Sequence, residues 1–352
     1  MTQLKHRALA LVACLLLALC ACAASTTTPT PTQLPADLQL PAGFRAERLS
    51  ATLNRPTQLI LGPNGRIWAA QLAGAESAGQ GQVVAIDLET GDVTPLLDGL
   101  QKPTGIALLD GALWIAAGRD LLRADLDAAG LPGTPQPVLT DLPFNGRSNG
   151  TLTPTPDGRL LYETSGSSQP GAGMLWTLDP ADPANPQPLA SGLKVTYPHT
   201  SKANGRPWIT HIRAYTVDGQ PPPEELNLVV PGADFGWPRC YGFQEPARDK
   251  GGTAARCAET RPPVVLFPPH STPTSIAVAP WAADTLLVAL WVGQEVVQVA
   301  VTPDGDNASG TATPFLSGLS APQHLLPLPD GALLVSDHLA GTLYKVWRET
   351  GN

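Results

Sequence analysis

The sequence predicts an all-β protein, a six-bladed β-propeller with four-stranded blades, and three observations carry that prediction. A strand–turn–strand unit recurs along the chain with a period in the forties. The composition, 38 Pro and 34 Gly in 352 residues, suits many short strands joined by tight turns. No stretch beyond the N-terminus keeps a 3.6-residue apolar period without interruption, so helices are not expected.

The repeated unit has a small polar or Pro-led entry, an alternating apolar run, a turn with Asn-Gly or Asp-Gly, and a second apolar run. Its copies are 56–71, 103–118, 149–166, 197–212, 273–291 and 322–337. The residues preceding the turn Gly, at 64, 110, 157 and 204, are 46, 47 and 47 apart, and the interval from 283 in the fifth copy to 330 in the sixth is again 47. Only the interval from 204 to 283, which is 79, departs from the rule, so about 32 residues are inserted there. A period in the forties with strand–turn–strand units is the signature of propeller blades, and six copies predict six of them.

Taken in order, residues 1–21 read as an export signal: Lys5, His6 and Arg7 precede an apolar run too short for a comfortable membrane span. It ends in Leu19-Cys20-Ala21-Cys22, which resembles a bacterial lipobox with Cys22 as the lipidated residue. The alternative is an ordinary signal peptide cut near Ala23 or Ala24. Residues 22–41, rich in Thr and Pro, read as a semi-extended tether. The domain, residues 42–348, is then exported, held at the cell envelope through the N-terminal lipid alone, and faces the periplasm or the exterior.

Blade 1 is expected to place strands at 57–61, 66–71, 82–88 and 93–97. The sixth unit supplies only three strands, and its missing outer strand is expected at 44–50, which would close the ring. Trp68, Trp114, Tyr162, Trp208 and Leu287 hold the same place in successive second strands and read as inter-blade packing. The polar inner-strand residues Gln58, Asn149, His199, Ser275, Gln323 and His324 are candidates to line the central channel.

The insertion, about 218–266 and expected between blades 4 and 5, carries both cysteines that remain after the signal, Cys240 and Cys257. In an exported chain they read as a disulfide, with a metal site the weaker alternative. Glu224, Glu225, Asn227 and Asp234 offer hard oxygen ligands that could suit calcium. Removing Lys5 and Arg7 from 22 basic residues leaves 20 against 30 acidic ones, and no basic cluster is present. That balance argues against nucleic acid as a partner. A monomer is expected.

Four segments in order, LPAGFRAERL (40–49), PEELNLVVPGADFGWPRCYG (223–242), PPHSTP (268–273) and LPDGALLVSDHLAGTLYKV (328–346), resemble the glucose/sorbosone dehydrogenase family. The resemblance runs over about residues 40–348. It implies a six-bladed quinoprotein that binds pyrroloquinoline quinone and calcium and transfers hydride from a sugar to the quinone. It further implies that a His takes the hydroxyl proton and that an Arg-Asn pair helps to hold the cofactor.

The chain departs from the family pattern at several such positions. Where the family has its His, this sequence reads Arg147-Ser148-Asn149-Gly150-Thr151-Leu152, and Arg cannot act as a base near neutral pH. Gly192-Leu193-Lys194-Val195-Thr196 keeps a cation but replaces the amide, Leu290-Trp291-Val292-Gly293-Gln294 lacks a His, and Ala321 stands where relatives often have Arg. The expected cofactor contacts are therefore Arg147, Asn149, Lys194 and His270. His199 and His324, on inner strands, are the first substitutes for the missing base, with His211, His270 and His338 behind them.

Three functions compete on this reading. The first is a quinone-dependent sugar or aldehyde dehydrogenase with a small-molecule sugar ligand. The second is a propeller that has lost the redox centre and binds a carbohydrate, a cell-wall fragment or a protein. A calcium-dependent lactonase ranks last, because no acidic residue falls on an inner strand beside Asn149.

Overall fold

Each repeat forms one four-stranded antiparallel sheet, and six such sheets follow one another in chain order. The computed structural model describes residues 34–349 apart from 75–78, 147–149, 201–205 and 214–215. The export signal, Cys22, Arg147 and Asn149 lie outside the described residues. Blade 1 spans 56–101, blade 2 spans 103–139, blade 3 spans 153–191, blade 4 spans 195–267 and blade 5 spans 273–317. Blade 6 takes three strands from 322–348 and its outer strand, Phe44–Thr52, from the other end of the domain. That strand pairs antiparallel with Thr342–Arg348, from Phe44 opposite Arg348 to Thr52 opposite Thr342, so the ring closes as the repeat count requires.

The packing follows from strand alternation. In blade 1, Trp68, Ala70, Val83 and Ala85 pack with residues of blade 2, while Ile67, Ala69, Val84 and Ile86 pack with residues of blade 6. Six apolar clusters are described, one between each pair of neighbouring blades. Trp68, Trp114, Tyr162, Trp208 and Leu287 are all buried in these clusters, as inter-blade packing demands. At about 1.5–3 kcal/mol for each large apolar side chain, burial between blades is the main force holding the ring together.

The Pro-led entry of the repeat has a structural meaning. In blades 1, 2, 5 and 6 the inner strand breaks register just after its Pro, between Pro56 and Gln58, Pro103 and Gly105, Pro273 and Ser275, and Pro322 and His324. The extra residues of these β-bulges are Thr57, Thr104, Thr274 and Gln323, and all four face a cavity at one mouth of the ring. Thr57 Oγ1 also donates to the Pro103 carbonyl at 2.9 Å, and Thr274 Oγ1 to the Pro322 carbonyl at 3.2 Å. The Pro-Thr pair thus joins the inner strand of blade 1 to that of blade 2, and that of blade 5 to that of blade 6.

The residues after the bulges join the blades again, one step deeper. Gln58 Nε2 donates to the Leu152 carbonyl, and its Oε1 accepts from the amides of Ile106 and Leu152, so one side chain ties blades 1, 2 and 3. Ser275 Oγ accepts from the Leu325 amide and His324 Nδ1 from the Leu59 amide. These polar residues line the channel as the sequence suggests, and they also saturate inner-strand amides that a closed ring would otherwise bury unpaired.

Two boundaries differ from expectation. Glu224–Leu228 is the third strand of blade 4, and Val265–Phe267 is its outer strand, so the inserted segment lies within blade 4 and not between blades 4 and 5. There Ala233–Asp234 adds a parallel partner to the outer strand of blade 3. At the N-terminal side, Leu34, Leu38 and Leu40 pack on the blade 5–blade 6 cluster and Gln39 pairs with Ser317, so contacts with the propeller begin before residue 42.

Candidate functional site

The bulged mouth of the ring opens into a cavity of about 340 Å³ whose wall carries Lys102, Lys194, Arg213, Glu224, His270 and His338. Lys102 immediately precedes the Pro of blade 2 and takes a left-handed conformation, φ 44°. Its Nζ donates to the Gly146 carbonyl at 2.8 Å. Lys194, between blades 3 and 4, donates through Nζ to the Arg213 carbonyl at 2.8 Å. Asn145, Gln323 and the indole of Trp291 complete the wall between these charges.

Beneath the lysines lies a buried ionic network. Arg213 Nη2 donates to both oxygens of Glu225, at 2.6 and 2.7 Å, and Arg213 also bonds the carbonyls of Phe235 and Cys240. Burial is the largest single influence and would raise the Glu225 carboxyl, but the Arg213 charge, together with His211 and the hydrogen bonds both residues make, outweighs it and holds the pKa down to about 2. Glu224 goes the other way: burial raises it to about 8, against the hydrogen bond from the Arg213 amide. At neutral pH Glu224 therefore holds its proton and Glu225 neutralises Arg213, so that among the described residues the two lysines make the cavity wall cationic.

The same network explains the peculiar ELN…FGWP…C stretch. Glu225 accepts from the Gly242 amide and Arg213 holds two carbonyls of the 235–240 segment, so the inserted loop is fastened to the floor of the cavity. Cys240 and Cys257 form the expected disulfide, which closes that loop.

The structure brings together some of the expected site residues and separates others. Lys194 and His270 share the cationic cavity. His199 and His324 line a different cavity at the opposite mouth. His324 is further unsuited to act as a base: Nδ1 accepts from the Leu59 amide at 3.3 Å, so Nε2 carries the hydrogen, and burial lowers its pKa to about 3. His211 is buried too, with its Nε2 accepting from the Lys194 amide at 2.9 Å.

Glu225, Asn227 and Asp234 do not assemble as calcium ligands. Glu225 is taken by Arg213, and Asp234 is paired with Arg256 and with the Gly236 amide. Among the described residues no group of three His, Cys, Asp or Glu could hold a metal ion.

Sequence reasoning missed Lys102, Arg213 and Asn145. Lys102 had a signal, since it stands directly before the Pro that opens a repeat. Arg55 and Thr272 hold the same place in blades 1 and 5, and both share its left-handed backbone. Nothing in the spacing marks Arg213, because its role depends on a loop folding back over it.

No protein-family profile matches the chain, and no curated protein matches it in sequence. Solved structures do match in fold. A Trichoderma reesei protein of Carbohydrate-Active Enzymes Family AA12 aligns with a TM-score of 0.75 at 17% identity, over 91% of this chain and 100% of that one. The holo PQQ domain of pyranose dehydrogenase from Coprinopsis cinerea gives 0.73 at 17%, over 91% and 99%. The PQQ-bound aldose sugar dehydrogenase of Streptomyces coelicolor gives 0.67 at 20%, over 88% and 99%. At these identities the likeness establishes a shared six-bladed scaffold, which is the architecture that the four sequence motifs imply. Among the described residues no helix is long and apolar enough to cross a membrane.

Proposed function

We propose that the protein is an exported, lipid-anchored, monomeric quinoprotein that oxidises a sugar or aldehyde, with pyrroloquinoline quinone held in the cationic cavity. The observation that carries this reading is the pair Lys102 and Lys194, brought from different blades to one cavity whose only described carboxyl, Glu224, is kept protonated. The cofactor is a rigid tricarboxylate, and a cavity of about 340 Å³ with two lysines and an aromatic wall suits that chemistry. The fold likeness to PQQ-bound structures supports the reading. The disulfide suits an oxidising compartment.

In this reading Lys102 and Lys194 hold carboxylates of the cofactor, while Asn145 and Gln323 offer amides to its oxygens. When bound, the quinone supplies the hydride acceptor. His270 receives the hydroxyl proton of the substrate: it sits exposed on the cavity rim, on a loop held by bonds from Val292 and Gly293 to the Ser271 carbonyl. Its left-handed backbone, φ 60°, is a strained conformation of the kind found at working sites. The carboxyls named for calcium do not fit that ion, because Arg213 and Arg256 already pair with Glu225 and Asp234 and Glu224 holds its proton, and no step is assigned to it.

A second reading keeps the scaffold without the redox chemistry, and the Arg at position 147 favours it. One titration separates the two. The purified protein is titrated with pyrroloquinoline quinone while cofactor absorbance and melting temperature are followed. Saturable binding with a raised melting temperature, weakened about 10–100-fold by Lys102→Ala or Lys194→Ala, is expected. Absence of binding well above micromolar cofactor would leave the non-catalytic reading.

In the loaded protein, His270→Ala is expected to lower kcat for aldose oxidation by about 10²–10⁴ with cofactor affinity kept. Unchanged kcat in a steady-state assay would remove His270 from the reaction.

A further inference from the structure

The opposite mouth of the ring holds a cavity of about 980 Å³ with different chemistry. Its wall is built by inner strands and turns of blades 1, 3, 4, 5 and 6, mostly Leu, Ile, Val and Pro, and no described lining residue is Asp, Glu, Lys or Arg. The cationic cavity, by contrast, is lined by Lys102, Lys194, Arg213 and the Glu224 carboxyl. The residues after the bulges divide the two spaces, since Gln58, Ser275 and His324 face only the wider one.

The polar groups on its floor are largely committed. Gln58 spends both ends of its amide on blades 2 and 3, Ser275 accepts from the Leu325 amide, and Thr151 and Thr153 donate to the Pro198 carbonyl. A polyhydroxylated sugar would lose its hydration there and gain few hydrogen bonds in exchange. His324 is different. Its Nδ1 accepts from the Leu59 amide, so its Nε2 is an N–H donor, and no described residue accepts from it. Burial and the neighbouring His199 keep this ring neutral, so it offers a hydrogen without a charge.

We propose that the wide cavity is a second ligand site, which takes an uncharged molecule with an apolar body and one hydrogen-bond acceptor, a carbonyl or ether oxygen, received by the His324 Nε2–H. The volume admits a ligand of drug or terpenoid size. The tautomer excludes a metal ion at this nitrogen, because a metal needs the lone pair that the hydrogen occupies. The site does not depend on the quinone reading, because it shares no lining residue with the cationic cavity.

The test uses the neutral, carbonyl-bearing dye 6-propionyl-2-(dimethylamino)naphthalene, whose emission reports both polarity and hydrogen bonding at the carbonyl. Saturable binding with blue-shifted emission is expected, and an analogue with propyl in place of propionyl should bind about 5–10-fold more weakly. Ala283→Trp, at an exposed rim position, and Leu61→Glu, at a half-exposed one, should each weaken the dye at least tenfold while leaving the melting temperature in place. Lys194→Ala should leave dye binding unchanged. Absence of saturable binding, equal affinity for the carbonyl-free analogue, or loss of binding in Lys194→Ala with neither rim change having an effect would each overturn the proposal.

Discussion

Glu163 shows how a single side chain sets a pH dependence for the whole fold. It is fully buried on the second strand of blade 3, with Oε2 accepting from the amide and hydroxyl of Thr196 in blade 4, while Oε1 has no partner among the described residues. Burial raises its pKa to about 8, against the pull of the two Thr196 hydrogen bonds. The native state therefore binds a proton that the unfolded chain, with an ordinary value of 4.5, has already released. Stability from this group is fully present below about pH 4.5 and is lost as pH rises through about 8. Melting temperature should fall between pH 5 and pH 8.5, and Glu163→Gln should make that slope shallower, with Glu224 supplying what remains. An unchanged slope would show that the native carboxyl is already ionised at pH 5. Gln58 tests a different balance. Gln58→Ala strands the buried amides of Ile106 and Leu152 and the Leu152 carbonyl, and should cost about 3 kcal/mol, read as a lower urea midpoint.

At the scale of the element, blade 4 and its inserted loop form one cooperative piece. The disulfide joins residues 17 apart, and the Arg213–Glu225 pair fastens the segment between them to the third strand. Losing a crosslink around a loop of this length costs about 3 kcal/mol on chain entropy alone, so Cys240→Ser should lower stability by that order in thermal melts. The repeats were legible in the sequence because the Pro-Thr entry and the Asp-Gly turn mark each inner hairpin at a constant interval. The outer strand of blade 6 was legible as well, since the last unit lacked one strand and Phe44–Thr52 had no other sheet to join. The site was less so, and the bulges are the reason. One added residue in an inner strand reverses which way the following side chains face, so a period of two cannot say which mouth Gln323 or His324 serves. Glu225 and Asp234 read as calcium ligands only while their arginine partners, 12 and 22 residues away, were invisible.

Over the whole molecule, the two ends of the domain meet in one sheet, and that junction governs how the ring opens. Deleting 44–52 leaves Thr342–Arg348 as a bare edge and uncovers the apolar cluster shared by blades 6 and 1, which includes Ala51. The truncated protein is expected to aggregate or to lose cooperative unfolding, in contrast to a trim outside the domain. A native-like calorimetric transition would show that five blades and a fragment suffice. The leucines ahead of that strand add a mechanical role. Leu34, Leu38 and Leu40 rest on the blade 5–blade 6 cluster, and Gln39 exchanges two backbone hydrogen bonds with Ser317. A pull arriving from the N-terminal side of Leu34 loads this short hold on blade 5 first, and reaches the clasp of the ring only after the hold has slipped. Residues 34–40 thus act as a strain relief, so that a pull on the chain ahead of them need not open the propeller.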